Sequence, residues 1–148
     1  MPEVIARIVD PPGARFDGLA RSFGDQFGLF AGYFLPHAQA RDDTLARRYA
    51  ASRAALAAAR VVLASDRVLF RGMKYQREQV LSAASGGAVV VEALERLVDG
   101  AGVDDARRVA GLLSAIGLTV TVDDPMLGRF IVENELSWFT GALPPDAR

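Results

Sequence analysis

"LTVTVDDPMLGRFIVEN", residues 118–134, is the stretch on which the fold class turns. Leu118, Val120 and Val122 alternate with Thr119 and Thr121, "DDPMLG" reverses the chain, and "RFIVEN" returns. Alternation of apolar and polar residues is the period of a half-buried strand, and valine and threonine favour extended backbone. The stretch therefore reads as a β-hairpin. A hairpin with one covered side is not stable alone, so it needs a further strand. "EVIARIV", residues 3–9, offers one, rich in β-branched residues and stopped by "DPPG". The expected fold is α+β, a mostly helical single domain over residues 1–148. Its small antiparallel sheet is formed by the N-terminal strand and the C-terminal hairpin.

Outside the sheet the periodicity is helical. One helix runs from about Gly18, behind Asp17 as N-cap, to Leu35, since the residue before Pro36 is pushed out of the α region. A second begins after Asp42 or Asp43, with Leu45, Tyr49, Leu56 and Leu63 as its apolar stripe, and continues through Met73 and Val80 unless it breaks near residue 65 or 72. A third runs from "SGG", residues 85–87, to about Asp99. The fourth, from Asp104 or Asp105, carries Val109, Leu112, Leu113 and Ile116 inward and ends at Gly117. Trp138 and Phe139 then form a short helix or aromatic anchor.

Composition excludes several chemistries. The 148 residues, 51% of them hydrophobic, suffice for one core. No cysteine is present, which removes disulfides, thiolate zinc, iron–sulfur clusters and cysteine nucleophiles, and fits a reducing compartment. The longest apolar run, Phe27 to Pro36, is about half of the roughly 20 residues a membrane helix needs. With no secretory pattern at the start, the expectation is a cytoplasmic chain without a membrane span. The net charge of −1 argues against a surface built for nucleic acid. The charge is nevertheless uneven: residues 41–77 hold nine basic and three acidic groups, residues 78–148 five and eleven.

The first helix carries the candidate site. In "FGDQFGLFAGYFLPH", residues 23–37, Phe23, Phe27, Phe30 and Phe34 form one stripe and Gly24, Gly28 and Gly32 a neighbouring one. Ser22, Asp25 and Gln26 make up the polar side. Each glycine costs about 1 kcal/mol relative to alanine in a helix interior, so close packing has to offset them. Three occupants fit: the alanine-rich run Ala50 to Ala59, the same helix of a second copy, or a ligand in an apolar pocket beside the glycine face. Gly28, Gly32, Phe27, Phe30, Phe34 and Trp138 are the expected ligand contacts.

Other constellations carry less. His37 is the only histidine and sits near a helix end, where it can act as acid/base, but no serine lies in a nucleophile motif. Asp123, Asp124, Glu133 and Glu135 match no calcium-loop spacing and read as turn and edge solubility, so no metal site is expected. Gly86 and Gly87 precede a helix, yet without the lysine and spacing of a phosphate loop. Arg53, Arg60, Arg67, Arg71 and Lys74 would form a basic stripe on a continuous helix, though stacking aromatics for nucleic acid are missing. No pattern identifies a cofactor. The leading expectation is a binding, regulatory or accessory module that forms a homo-oligomer or meets a protein partner and takes a small apolar or anionic ligand. The alternative is an enzyme or enzyme subunit using His37 on an anionic substrate.

Overall fold

A computed structural model describes residues 13–120 and 122–147, and every regular element among them is a helix. α1 spans Gly13–Leu29 and continues through a π-helical turn, Phe30–Phe34, into α2, Leu35–Ala40. α3 is Thr44–Ser65. A 3₁₀ turn at Met73–Tyr75 leads into α4, Gln76–Ser82, which is followed by α5, Ala88–Gly100, and α6, Val103–Ala115. α7, Asp124–Phe130, runs on through a second π-helical turn, Ile131–Glu135, to α8, Ser137–Thr140.

α3 is the hub. Asp43 caps its start by accepting the Ala46 N–H at 3.0 Å. From Ala50 onward nearly every residue is buried, because α1 packs along one side and α4, α5 and α6 along others. A helix covered all round needs small residues so that several neighbours can approach at once, and alanine supplies them without loss of helix propensity. The expected stripe is therefore displaced: Leu45 is 82% and Tyr49 60% exposed, while Ala51, Ala54 and Ala58 are inside. α3 stops at Ser65, and Gly72 precedes the 3₁₀ turn, so the chain departs from one continuous helix at both weak points. Its end is a Schellman closure, with the Val68 N–H on the Leu63 carbonyl at 2.8 Å and the Arg67 N–H on Ala64 at 3.0 Å. α6 closes in the same way at Gly117, whose φ of 86° is the conformation glycine supplies without strain.

Pro36 does not stop the first helix. It has no N–H to offer the Gly32 carbonyl, and its ring crowds that carbonyl, which normally breaks or kinks a helix. Here the wider π-helical turn takes up the misfit, with the Leu35 N–H bonded to the Phe30 carbonyl, and the helix resumes to Ala40.

The α+β expectation is overturned, because the described residues contain no strand and the fold is a helical bundle. The strand expected over residues 3–9 lies outside the described residues. In place of the hairpin's turn and return strand stand α7 and its π-helical extension. Asp123 caps α7 by accepting the Met126 N–H at 2.8 Å, and Pro125 sits in the first turn, where its missing N–H costs nothing. Met126 and Phe130, one helical turn apart, are buried, and the Phe130 ring meets Phe30 edge-on at 6.4 Å. Leu118 and Val120 do press against the core, but from an irregular connection whose described residues form no strand. Alternation foresaw half-burial at these two positions, not at Val122, which is exposed, and it foresaw pairing wrongly.

α7 and the turn after it cover the polar side of α1, so Ser22, Asp25 and Gln26 are all buried. Arg129 grips Asp25 with two hydrogen bonds of 2.8 and 2.9 Å, the Ser22 hydroxyl donates to Glu133, and the Gln26 amide donates to Asn134 at 3.3 Å. The hydrogen bonds that Arg129 donates to Asp25 hold its guanidinium above its usual pKa. None of the helices among the described residues is long and apolar enough to cross a membrane.

Asp25→Ala is expected to lower stability by about 2 kcal/mol, the scale of hydrogen bonds to a charged partner. In urea unfolding, Arg129→Ala and the double variant should then show a strong shortfall from additivity.

Candidate functional site

The six residues expected to contact a ligand do not converge. Phe27 and Phe30 belong to the core between α1 and α3, and Gly28 is buried. Phe34 is half-exposed, and Trp138 stands 78% exposed on α8 with its ring 5.8 Å from that of Phe139. A methyl group added at Gly32 would lie 2.5 Å from Cγ2 of Val122, so the connection before α7, not the alanines of α3, lies against that glycine. At Gly24 an added methyl would meet nothing within 4 Å.

Phe34 and His37 do share a cleft of about 290 Å³ at the corner of α2 and α3, together with Tyr49, Arg41 and Asp43. His37 Nδ1 is 2.8 Å from the Tyr33 carbonyl, an arrangement in which Nδ1–H donates, and its ring lies 4.4 Å from that of Tyr33. Asp43 is committed to capping α3. A catalytic histidine needs a nucleophile or a substrate proton on one nitrogen and an orienting acceptor on the other. The backbone carbonyl can orient the ring, but among the described residues no side-chain hydroxyl or carboxylate is hydrogen-bonded to it.

The remaining constellations are taken up by structure. Gly86 is required because a Cβ there would collide with the Val80 carbonyl, and the N–H groups of Gly86 and Gly87 donate to Ala83 and Val80 at 3.1 and 2.9 Å. They are unavailable to a phosphate. Asp123 caps a helix and Glu133 accepts from Ser22, and among the described residues no group of acidic or histidine side chains is arranged to hold a metal. The basic stripe breaks up. Arg53 pairs with Asp146 at 3.2 Å, Arg71 and Lys74 lean on Tyr75, and Arg60 turns inward between Phe23 and Phe70.

A groove of about 400 Å³ between α3, α4 and α5 has the character of a ligand site. Its walls come from Ala55 and Ala59 of α3, Val80 of α4, and Val91 and Leu94 of α5. Met73 forms one lip, and the Arg77–Glu95 pair at 2.8 Å another. Within this apolar lining, Gln76 is buried and its Oε1 has no hydrogen-bond partner. A buried acceptor left unpaired costs about 1–3 kcal/mol, and unpaired groups of this kind are few in native proteins. Gln76 was legible only in retrospect: it lies three residues after Met73 and four before Val80, in register with the apolar positions of a segment that otherwise reads as polar.

No protein family, curated protein or solved structure matches this chain, so the groove is read from its own chemistry.

The open space at Gly24 has a measurable consequence. Gly24→Ala should raise stability by about 1 kcal/mol, the helix-propensity difference with no steric charge against it. Chemical denaturation of this variant checks it.

Proposed function

We propose that the protein works as a cytoplasmic accessory or regulatory module that binds a small, largely apolar molecule carrying one hydrogen-bond donor, in the groove between α3, α4 and α5. The unpaired, buried Oε1 of Gln76 carries this reading. An apolar groove alone would accept any hydrophobic surface. A buried acceptor in its wall, once the Gln76 amide turns toward the groove, favours a ligand that returns the missing hydrogen bond while its body displaces water from the alanine and valine walls. The volume lies within the usual range for small-molecule sites. Binding rather than turnover is supported by the surroundings of His37, whose hydrogen-bonding partner is a backbone carbonyl.

N-phenylnaphthylamine is a suitable probe, since it is apolar, carries a single N–H donor and brightens on leaving water. Saturable brightening is expected with the wild-type protein. Gln76→Leu should weaken the probe about tenfold, the effect of losing one hydrogen bond of roughly 1.4 kcal/mol. The same substitution should leave the ligand-free protein as stable or more stable, because it removes an unpaired acceptor. Equal probe affinity in wild type and Gln76→Leu would remove the groove as the site.

A further inference from the structure

A second cavity, which shares no lining residue with that groove, lies further along α3. It has a volume of about 230 Å³ and is walled by Phe16 and Leu19 of α1, Leu63 of α3, and Val68 in the segment that follows α3. Arg60 lines the same cavity, although it is only 9% exposed. Its guanidinium sits between two rings, with the carbon centre 4.3 Å from the Phe23 centroid and 4.0 Å from that of Phe70. Among the described residues it forms no ion pair and no hydrogen bond. The acid whose field reaches it, Asp146, is already engaged by Arg53 at 3.2 Å.

A cation partly withdrawn from water and without a paired acid is less stable than one in solvent, and here burial pulls the guanidinium below its usual pKa while Asp146 opposes the shift. Arginine keeps its charge regardless, so the charge remains to be answered. The two rings stabilise it through its faces. They leave its N–H donors, which carry no hydrogen bond among the described residues, as the unused part of the group. A coplanar row of donors is the geometry that a carboxylate meets with two parallel hydrogen bonds. Arg15 lines the same cavity and adds a second positive charge.

The frame around Arg60 is fixed before anything binds. Phe70 belongs to the segment after α3, and that segment is pinned by Gln79, whose amide donates to the Leu69 carbonyl at 2.7 Å and accepts the Arg71 N–H at 3.1 Å. The Schellman closure holds Val68 with Arg67 at a φ of 57°, a conformation that a non-glycine residue adopts only under constraint from its surroundings. Preorganised donors in an apolar enclosure favour an anion that brings its own apolar body and disfavour a small, strongly hydrated ion.

We propose that this cavity binds a small free carboxylic acid with an apolar or aromatic body, its carboxylate paired with Arg60 and its body against Phe16, Leu19, Leu63 and Val68.

The test uses the full chain, isotope-labelled for NMR, titrated with hydrocinnamate and with its neutral counterpart hydrocinnamide. Hydrocinnamate should saturate with shifts at the Arg60 side chain and the Leu19 and Phe70 amides, and the amide should bind at least about tenfold more weakly. Arg60→Met keeps the stem and removes the charge, so it should bring the acid down to the level of the amide. Arg60→Lys, which keeps the charge without the planar fork, should restore only part of the difference. Gln76→Leu should leave the acid's affinity unchanged, which separates this site from the groove. Equal binding of acid and amide by the wild type would overturn the proposal. So would an acid preference that survives in Arg60→Met, shifts confined to residues away from the cavity, or no binding at about 10 mM acid, beyond the weak end of specific recognition. Should Arg60→Met fail to fold, the acid–amide comparison on the wild type and on Arg60→Lys still decides the matter.

Discussion

The close approach that alanine permits along α3 is the constraint on which the rest of the fold rests. With single methyl groups over most of its middle, from Ala50 to Ala59, α3 can receive α1, α4, α5 and α6 around its circumference, and most of the large side chains that fill the space there come from those neighbours. Phe23 and Phe27 reach in from α1, Val80 from α4, Leu97 from α5 and Leu113 from α6, and all are almost fully buried. The two cavities open beside this hub, one against Ala55 and Ala59 and the other against Arg60 and Leu63.

That architecture explains which parts of the fold were legible in the sequence. Some caps were: Asp43 and Gly117 do at α3 and α6 what their residue types predict, whereas Asp17, and Asp104 and Asp105, expected as N-caps, lie inside α1 and α6. Helices with large apolar residues on one side, such as α6, were legible from period alone. α3 was legible as a helix but not in its orientation, because periodicity follows bulky side chains and its inward residues are alanines. The C-terminal region was misread because alternation in residues 118–122 and the helix signals of residues 123–130 compete over a short span. Asp123 as a cap with Pro125 behind it are ordinary helix-start residues, and with Met126 and Phe130 facing α1 they outweigh β-propensity.

The candidate sites were less legible still, and for a single physical reason. Gln76 and Arg60 are polar residues at inward positions, and from sequence such residues look like members of a solvated face. Gln76 sits in a polar run and Arg60 in a row of basic residues. Only tertiary packing turns them inward, one against an apolar groove and the other between two phenylalanines. The glycines, by contrast, were conspicuous in sequence, yet they do not gather their neighbours into a pocket. Gly32 lies beside Val122, on the π-helical turn that lets the helix continue through Pro36.

The seam between α1 and the C-terminal segment also sets an order of events during synthesis. Asp25 and Arg129 are 104 residues apart, and Ser22 and Glu133 are 111 apart. When α1 and α3 have left the ribosome and can already bury their shared phenylalanine face, the opposite side of α1 still holds Ser22, Asp25 and Gln26 in water. Polar side chains there keep an unfinished bundle soluble on the flank that is covered last, where an apolar face would invite association between nascent chains. Asp25, which fastens the finished structure through Arg129, therefore also helps to make the wait for its partner harmless.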